Sequence, residues 1–179
     1  QPRWLMGWRD ICRSTDERTV IATVFPKYGT GDTLLLKYPI QVPPRQAACL
    51  TASLCSFALD FVARQKVGGT HLKYNVFKQL ALLPPSVFMA IDLEFITPRV
   101  LELTYTSHAM HPWAEDLGHA GPPFTWDPDR RARLRAELDG FMARKYGLTK
   151  DELRYVLDPA CVHGPDYPSE TFRVLKANE

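Results

Sequence analysis

Between Gln46 and Lys66, the residues Leu50, Leu54, Phe57, Ala58, Phe61 and Val62 recur mostly at intervals of three and four. That spacing predicts one amphipathic helix over the whole stretch, because side chains three and four apart stack on one helical face. An apolar stripe of this length has to be covered, so the remaining chain is expected to provide a surface that packs along it. With 179 residues and 45% hydrophobic content, the chain holds enough apolar material for a sizeable core. Gly68 and Gly69 follow the stripe, and one of them is expected to close the helix in a left-handed cap.

The residues before this helix read as extended. "RTVIATVFP", positions 18–26, is β-branched and aromatic and stops at Pro26; "KYGTGDT" places Gly29 and Gly31 in a turn; "TLLLKYPIQVPP" forms a second extended run closed by Pro43 and Pro44. The turn lacks the Lys-Ser/Thr ending and helix entry of a phosphate loop.

Beyond the glycines, "YNVFKQLALLPP" fits a short strand or a short helix, and "IDLEFITPRVLELTYTSHA" predicts a third helix with Pro98 in its first turn or at a kink. A Pro/Gly-rich loop, "HPWAEDLGHAGPPFTW", leads to Asp127 as an N-cap, Pro128 at the first helical position, and the stripe Leu134, Leu138, Phe141, Met142 up to Gly147. "TKDE", positions 149–152, is a capping box that opens a last helix carrying Leu153, Val156 and Leu157. The expected class is α+β: a small β-rich part with a packing helix over residues 1–91, then an acidic helical part over residues 92–179.

The division at residue 91 follows the charge. Residues 1–91 carry eleven Lys/Arg against five Asp/Glu, a net +6, and residues 92–179 carry eleven against fifteen, a net −4. Between Asp32 and Asp92 the single acid is Asp60, whereas Lys37, Arg45, Arg64, Lys66, Lys73 and Lys78 are basic. A local excess of this kind suits phosphate binding; the plainer reading is a solvated basic face.

Several chemistries are not expected. The sequence has no glycine-rich phosphate loop, no GxG turn after a hydrophobic strand and no GxSxG elbow, so neither a bound cofactor nor a small hydrolase is indicated. Cys12, Cys49, Cys55 and Cys161 form no CxxC pair and are read as buried reduced thiols. His108 and His111 have helical ligand spacing, but Pro112 follows at once, so no metal site is expected. Nothing in the sequence predicts a membrane span or a signal peptide, which gives an expected cytoplasmic location. The start at Gln1 leads us to expect a piece of a longer protein.

Two stretches carry the candidate contacts. In "GWRDICRSTDERT", Arg9, Arg13 and Arg18 alternate with Asp10, Asp16 and Glu17 and with Ser14, Thr15 and Thr19. Arginines held by carboxylates are either structural salt bridges or forks presented to guanine edges and phosphates. In "QKVGGTHLKYN", Lys66, Thr70, His71, Lys73 and Asn75 surround glycines that permit close backbone approach; the alternative is a helix cap with exposed lysines.

These same stretches carry a resemblance. "GWRDICRSTDERTVIATVFP" with "LTASLCSFALDFVARQKVGGTHLKYNVFKQLALLPP" resembles the C-terminal specificity region of bacterial adenine-N6 DNA methyltransferases of the Eco57I and TaqI kind, including large single-chain restriction-modification and phage-defence enzymes. "RVLELTYTSHAMHPWAEDLGHAGPPFTWDPDRRARLRAELDGFMARKYGLTKDELRYVLD" and "SETFRVLKANE" are similar to the helical continuation of the larger members. The chain reads Leu54-Cys55-Ser56 where the family more often has Leu-Asn-Ser, and Gln79-Leu80-Ala81 where it has Gln-Leu-Pro.

The resemblance implies a parent enzyme that moves a methyl group from S-adenosylmethionine to the N6 of an adenine flipped out of duplex DNA. The family's Asn/Asp-Pro-Pro-aromatic motif has no counterpart here, since "LPPS" and "GPPF" lack the polar first residue. A non-catalytic target-recognition fragment is therefore implied, with no cofactor of its own. Its implied partners are double-stranded DNA and the parent's methyltransferase domain. Arg9, Arg13, Arg18, Lys66, Thr70, His71 and Lys73 are its candidate DNA-binding group. A docking or spacer domain without base contacts is the competing reading, favoured over residues 92–179 by their acidity.

Overall fold

The computed structural model describes residues 3–13, 16–37 and 40–157, with isolated positions 174 and 177. Its centre is a strand that sequence patterning does not reveal. β1 (Trp4–Arg9) lies between β2 (Ala22–Pro26) and β3 (Leu34–Lys37) in a three-stranded antiparallel sheet of order β2-β1-β3. Trp4, Met6 and Trp8 share one face and enter the core, while Leu5, Gly7 and Arg9 take the other. Gly7 is required where it stands: a Cβ there would lie 2.5 Å from the Leu35 carbonyl oxygen and 3.1 Å from the Phe25 ring.

The expected single helix over 46–66 is two helices, α1 (Pro44–Leu54) and α2 (Phe57–Lys66), bent by 59°. The apolar spacing persists through the bend because both segments are packed. What ends α1 is hydrogen bonding at the break. The Ser56 hydroxyl accepts from the Leu59 amide, and Asp139, from a distant helix, accepts from the Phe57 amide at 2.7 Å. The glycine cap is also corrected. α2 ends at Lys66 and is followed by Val67 with φ −83°, and the left-handed glycines among the described residues are Gly118 and Gly147.

"YNVF" becomes a short helix, α3 (Tyr74–Phe77), whereas α4 (Ala90–Thr104) is longer at its start and shorter at its end than the pattern suggests. It runs through Pro98, which lies in its interior and not in its first turn. α5 (His111–Asp116) occupies part of the expected loop, with Pro112 in its first turn. α6 (Pro128–Lys145) follows expectation: the Asp127 carboxylate accepts from the Arg130 amide at 3.0 Å, and Gly147 closes the helix with φ +76°. In α7 (Lys150–Leu157), Thr149 and Glu152 exchange the reciprocal bonds of a capping box.

The class is thus α+β, with three strands and seven α-helices among the described residues. Packing crosses residue 91. One core joins Trp4, Met6 and Val24 of the sheet to Ala48 and Ala52 of α1, Ile96 and Val100 of α4, Trp113 of α5, and Leu138 and Met142 of α6. A second gathers Trp8, Cys12, Val20, Leu54, Leu59, Leu72 and Phe77; a third seats α7 on Phe57. Cys12 and Cys49 are buried thiols, while Cys55 is half-buried and donates to the Ala22 carbonyl. Burial pushes the Cys49 thiol up to about 12 and the Cys55 thiol up to about 11. Cys161 lies outside the described residues. No single helix among the described residues is long and apolar enough to cross a membrane.

Candidate nucleic-acid interface

At the end of β1 the chain turns and is paired again, this time with the segment after α2. The Asp10 amide donates to Thr33, the Leu72 amide to Asp10 at 2.7 Å, and the Cys12 amide to Thr70 at 3.0 Å, with an isolated antiparallel bridge between Ile11 and His71. Aromatic rings fix the segment from beneath. The Trp8 indole donates to the Leu72 carbonyl and stacks on Phe77 with centroids 3.7 Å apart, and the Tyr74 hydroxyl bonds both the amide and the carbonyl of Leu36.

This pairing brings five of the seven candidates to one edge. Thr70, His71 and Lys73 lie along residues 10–12; Arg13 continues that strand-like run opposite the glycines; Lys66 is the exposed last residue of α2 just before them. The guanidinium of Arg13 and the ammonium of Lys66 make no side-chain bond among the described residues. Ser14 and Thr15 lie outside the described residues.

The organising group is Asp10, which is 2% exposed. Its Oδ2 receives Lys73 Nζ at 2.6 Å and His71 Nδ1 at 2.9 Å, while Oδ1 is buried without a hydrogen-bond partner. Burial pushes the carboxyl upward, but the bonds from Lys73 and His71 outweigh that and hold it below the ordinary carboxylate range. The side chains of His71 and Lys73 are 52% and 55% exposed, so a buried anion holds two outward-facing donors in place. The sequence sets Asp10 beside neighbouring arginines, but its partners in the fold are 61 and 63 positions away.

The other two candidates lie elsewhere. The Arg18 side chain is 13% exposed, its guanidinium bonded to Asp139 at 2.6 Å and stacked over the Phe57 ring at 3.4 Å. Arg9 is exposed on the opposite sheet face and is among the residues lining a cavity near β2. Arg64, part of the basic excess, is buried as well: it bonds Asp60 and the carbonyls of Asp16 and Glu17, while Asp60 accepts from the Val20 amide. The one acid of the basic stretch is therefore a structural clamp for residues 16–20.

No group of three or more His, Cys, Asp or Glu side chains among the described residues is placed to hold a metal ion. His111 meets Glu115 at 3.2 Å and Tyr105 at 3.3 Å on the surface of α5, and His163 lies outside the described residues. The cavity near β2 has carboxylates but no histidine among its described lining residues. No protein-family model, curated protein or solved structure matches the chain.

Proposed function

We propose that this chain is a DNA target-recognition part of a bacterial adenine-N6 DNA methyltransferase, with the methyl transfer itself, and S-adenosylmethionine, belonging to a separate catalytic domain of the parent. The observation that carries the reading is the bridge between residues 10–12 and 70–72, which lines up Arg13, Lys66, Thr70, His71 and Lys73 on one exposed edge. Cationic donors on a pinned backbone suit a phosphate track, and the exposed Gly68 and Gly69 permit close approach of a sugar-phosphate strand. Arg18 is outside this group because Asp139 holds it. Arg9 points to the other face, which leaves five contact residues in the reading.

Fluorescence anisotropy of the 179-residue chain against mixed-sequence duplexes, at low and physiological salt, tests it. The expected result is salt-sensitive binding that Lys66→Ala, Lys73→Ala and Arg13→Ala each weaken. Binding that all three leave unchanged, or none at low salt, removes the interface.

The second reading is a docking domain of the same enzyme. It is favoured by large apolar side chains left in water: Ile40 at 69%, Met89 at 62% and Ile91 at 65% exposed. Ile91→Asp lowering association with the catalytic domain while DNA binding persists would support that role alongside the first.

A further inference from the structure

The cavity beside β2 is a cleft bounded by α1, α4 and α6, open to solvent, with a volume of about 550 Å3, within the roughly 300–1,000 Å3 of small-molecule sites. Its uncharged lining is mostly aliphatic: Val20, Ala22, Ala52, Val100, Leu103 and Leu138 line it beside Thr51, Thr104 and Cys55, and no aromatic ring does so among the described residues. Its charged lining is four guanidiniums, Arg9, Arg18, Arg131 and Arg135, against the carboxylates of Asp16, Glu17 and Asp139.

These carboxylates are mostly engaged. Asp139 holds the Phe57 amide with one oxygen and Arg18 with the other, and Asp16 accepts from the Arg13 amide at 3.1 Å. Glu17 faces Arg135 at 3.9 Å. On the cationic side, Arg9 is exposed and its guanidinium has no side-chain partner among the described residues, while Arg131 stacks over Trp126 at 3.7 Å. Each guanidinium carries five N–H donors in a fork that matches a carboxylate or phosphate, so a partnered arginine still offers donors to an anion. An aliphatic floor under a rim with a cationic surplus selects a ligand with an alkyl body and one negative head.

We propose that this cavity binds a small aliphatic anion, its chain on Val20, Ala22, Val100, Leu103 and Leu138 and its carboxylate or phosphate head on Arg9 with Arg131 and Arg135 beside it. The site is separate from the cationic edge and stands without the DNA reading. The head chemistry belongs equally to a free acid and to a membrane lipid; a volume of about 550 Å3 fits one short alkyl chain with its head, which favours the free molecule.

Isothermal titration of the 179-residue chain with decanoate, kept below its micellar concentration, tests this, with decanol, decylamine and acetate as comparison ligands and phosphatidylglycerol vesicles as the membrane arm. Decanoate is expected to bind at least ten-fold more tightly than each of the other three small molecules. Arg9→Glu, at an exposed position, and Ile21→Trp, at the half-exposed rim, are each expected to weaken it about ten-fold at an unchanged melting temperature. Arg13→Glu, outside the cavity, should leave it unchanged. Equal binding of decanol or acetate, preference for decylamine, indifference to both rim variants, or binding of vesicles without decanoate would each overturn the proposal.

Discussion

Two clusters of cation and carboxylate look alike along the chain and differ in the fold. Arg18 and Asp139 meet in the interior, over the Phe57 ring, and join the start of α2 to α6. Asp10, His71 and Lys73 meet at the margin, where only the acid is buried. The first pair uses charge to fix a helix junction; the second uses a buried charge to hold exposed donors. The difference is the side on which water is excluded, and it decides which cations remain available to a partner.

The sharpest way to break the comparison is at the interior junction. Asp139→Ala leaves Arg18 with a lost partner in a poorly hydrated place and removes the acceptor of the Phe57 amide. A buried ion pair broken on one side costs about 3–5 kcal/mol, so urea unfolding should show a loss of that order. A loss below about 1 kcal/mol, the level of an exposed pair, would put Arg18 in water and return it to the candidate contacts.

The margin should respond less and differently. In Asp10→Asn the neighbouring donors turn to water, and a net loss of about 1 kcal/mol is expected from the weakened hydrogen bonds. The pH signature is more specific. Because Asp10 is held below the ordinary carboxylate range in the folded state, its contribution is fully present above the unfolded value near 3.8 and is lost as pH falls through the lower folded value. Asp92 has the same sign: burial raises it, and the Lys145 and Met89 bonds prevail and lower it. Melting temperature followed from pH 5 to pH 2 should therefore fall less steeply in Asp10→Asn than in the parent chain, with the Asp92 share remaining. Parallel curves would mean that Asp10 is not held in its charged form by His71 and Lys73.

How far this contrast was legible in the sequence depends on range. The Asp127 cap, Pro128, Gly147 and the Thr149–Glu152 box are local signals, and each is where the sequence puts it. β1 is hard to read because "WLMGWR" has no β-branched residue, carries a glycine and is buried on both faces, so only Trp4 and Trp8 favour a strand and no alternation marks it. The bend between α1 and α2 was missed because part of what satisfies it, Asp139, lies 82 positions from Phe57. For the same reason the available cations could not be sorted: Arg18 finds its acid 121 positions away, and Lys73 finds its own 63 away.

Ion-by-ion salt dependence sharpens the contrast on the binding side. If the margin meets phosphates, Lys66→Ala and Lys73→Ala should each reduce the slope of log affinity against log salt by about one, with little change in folding stability for Lys66, which has no partner among the described residues. Arg18→Ala should do the reverse, lowering stability while leaving the slope of the folded protein unchanged. A slope change with Arg18→Ala and none with the lysines would exchange the roles of the two clusters.

The smallest expected effect tests the glycine pair itself. Neither Gly68 nor Gly69 has a left-handed φ, and a Cβ at either would meet nothing within 4 Å. The fold thus has no need of glycine there, unlike Gly147 with φ +76° or Gly7 against the Leu35 carbonyl. Gly68→Ala and Gly69→Ala should be neutral or stabilising by about 0.4–1 kcal/mol, through reduced freedom of the unfolded chain. If the pair is present to let a sugar-phosphate strand reach the backbone, the same substitutions should weaken duplex binding in anisotropy while stability holds or rises. A stability loss of about 1 kcal/mol or more would instead reinstate a left-handed cap after α2, and unchanged stability with unchanged binding would leave the phosphate track on the side chains of Arg13, Lys66 and Lys73 alone.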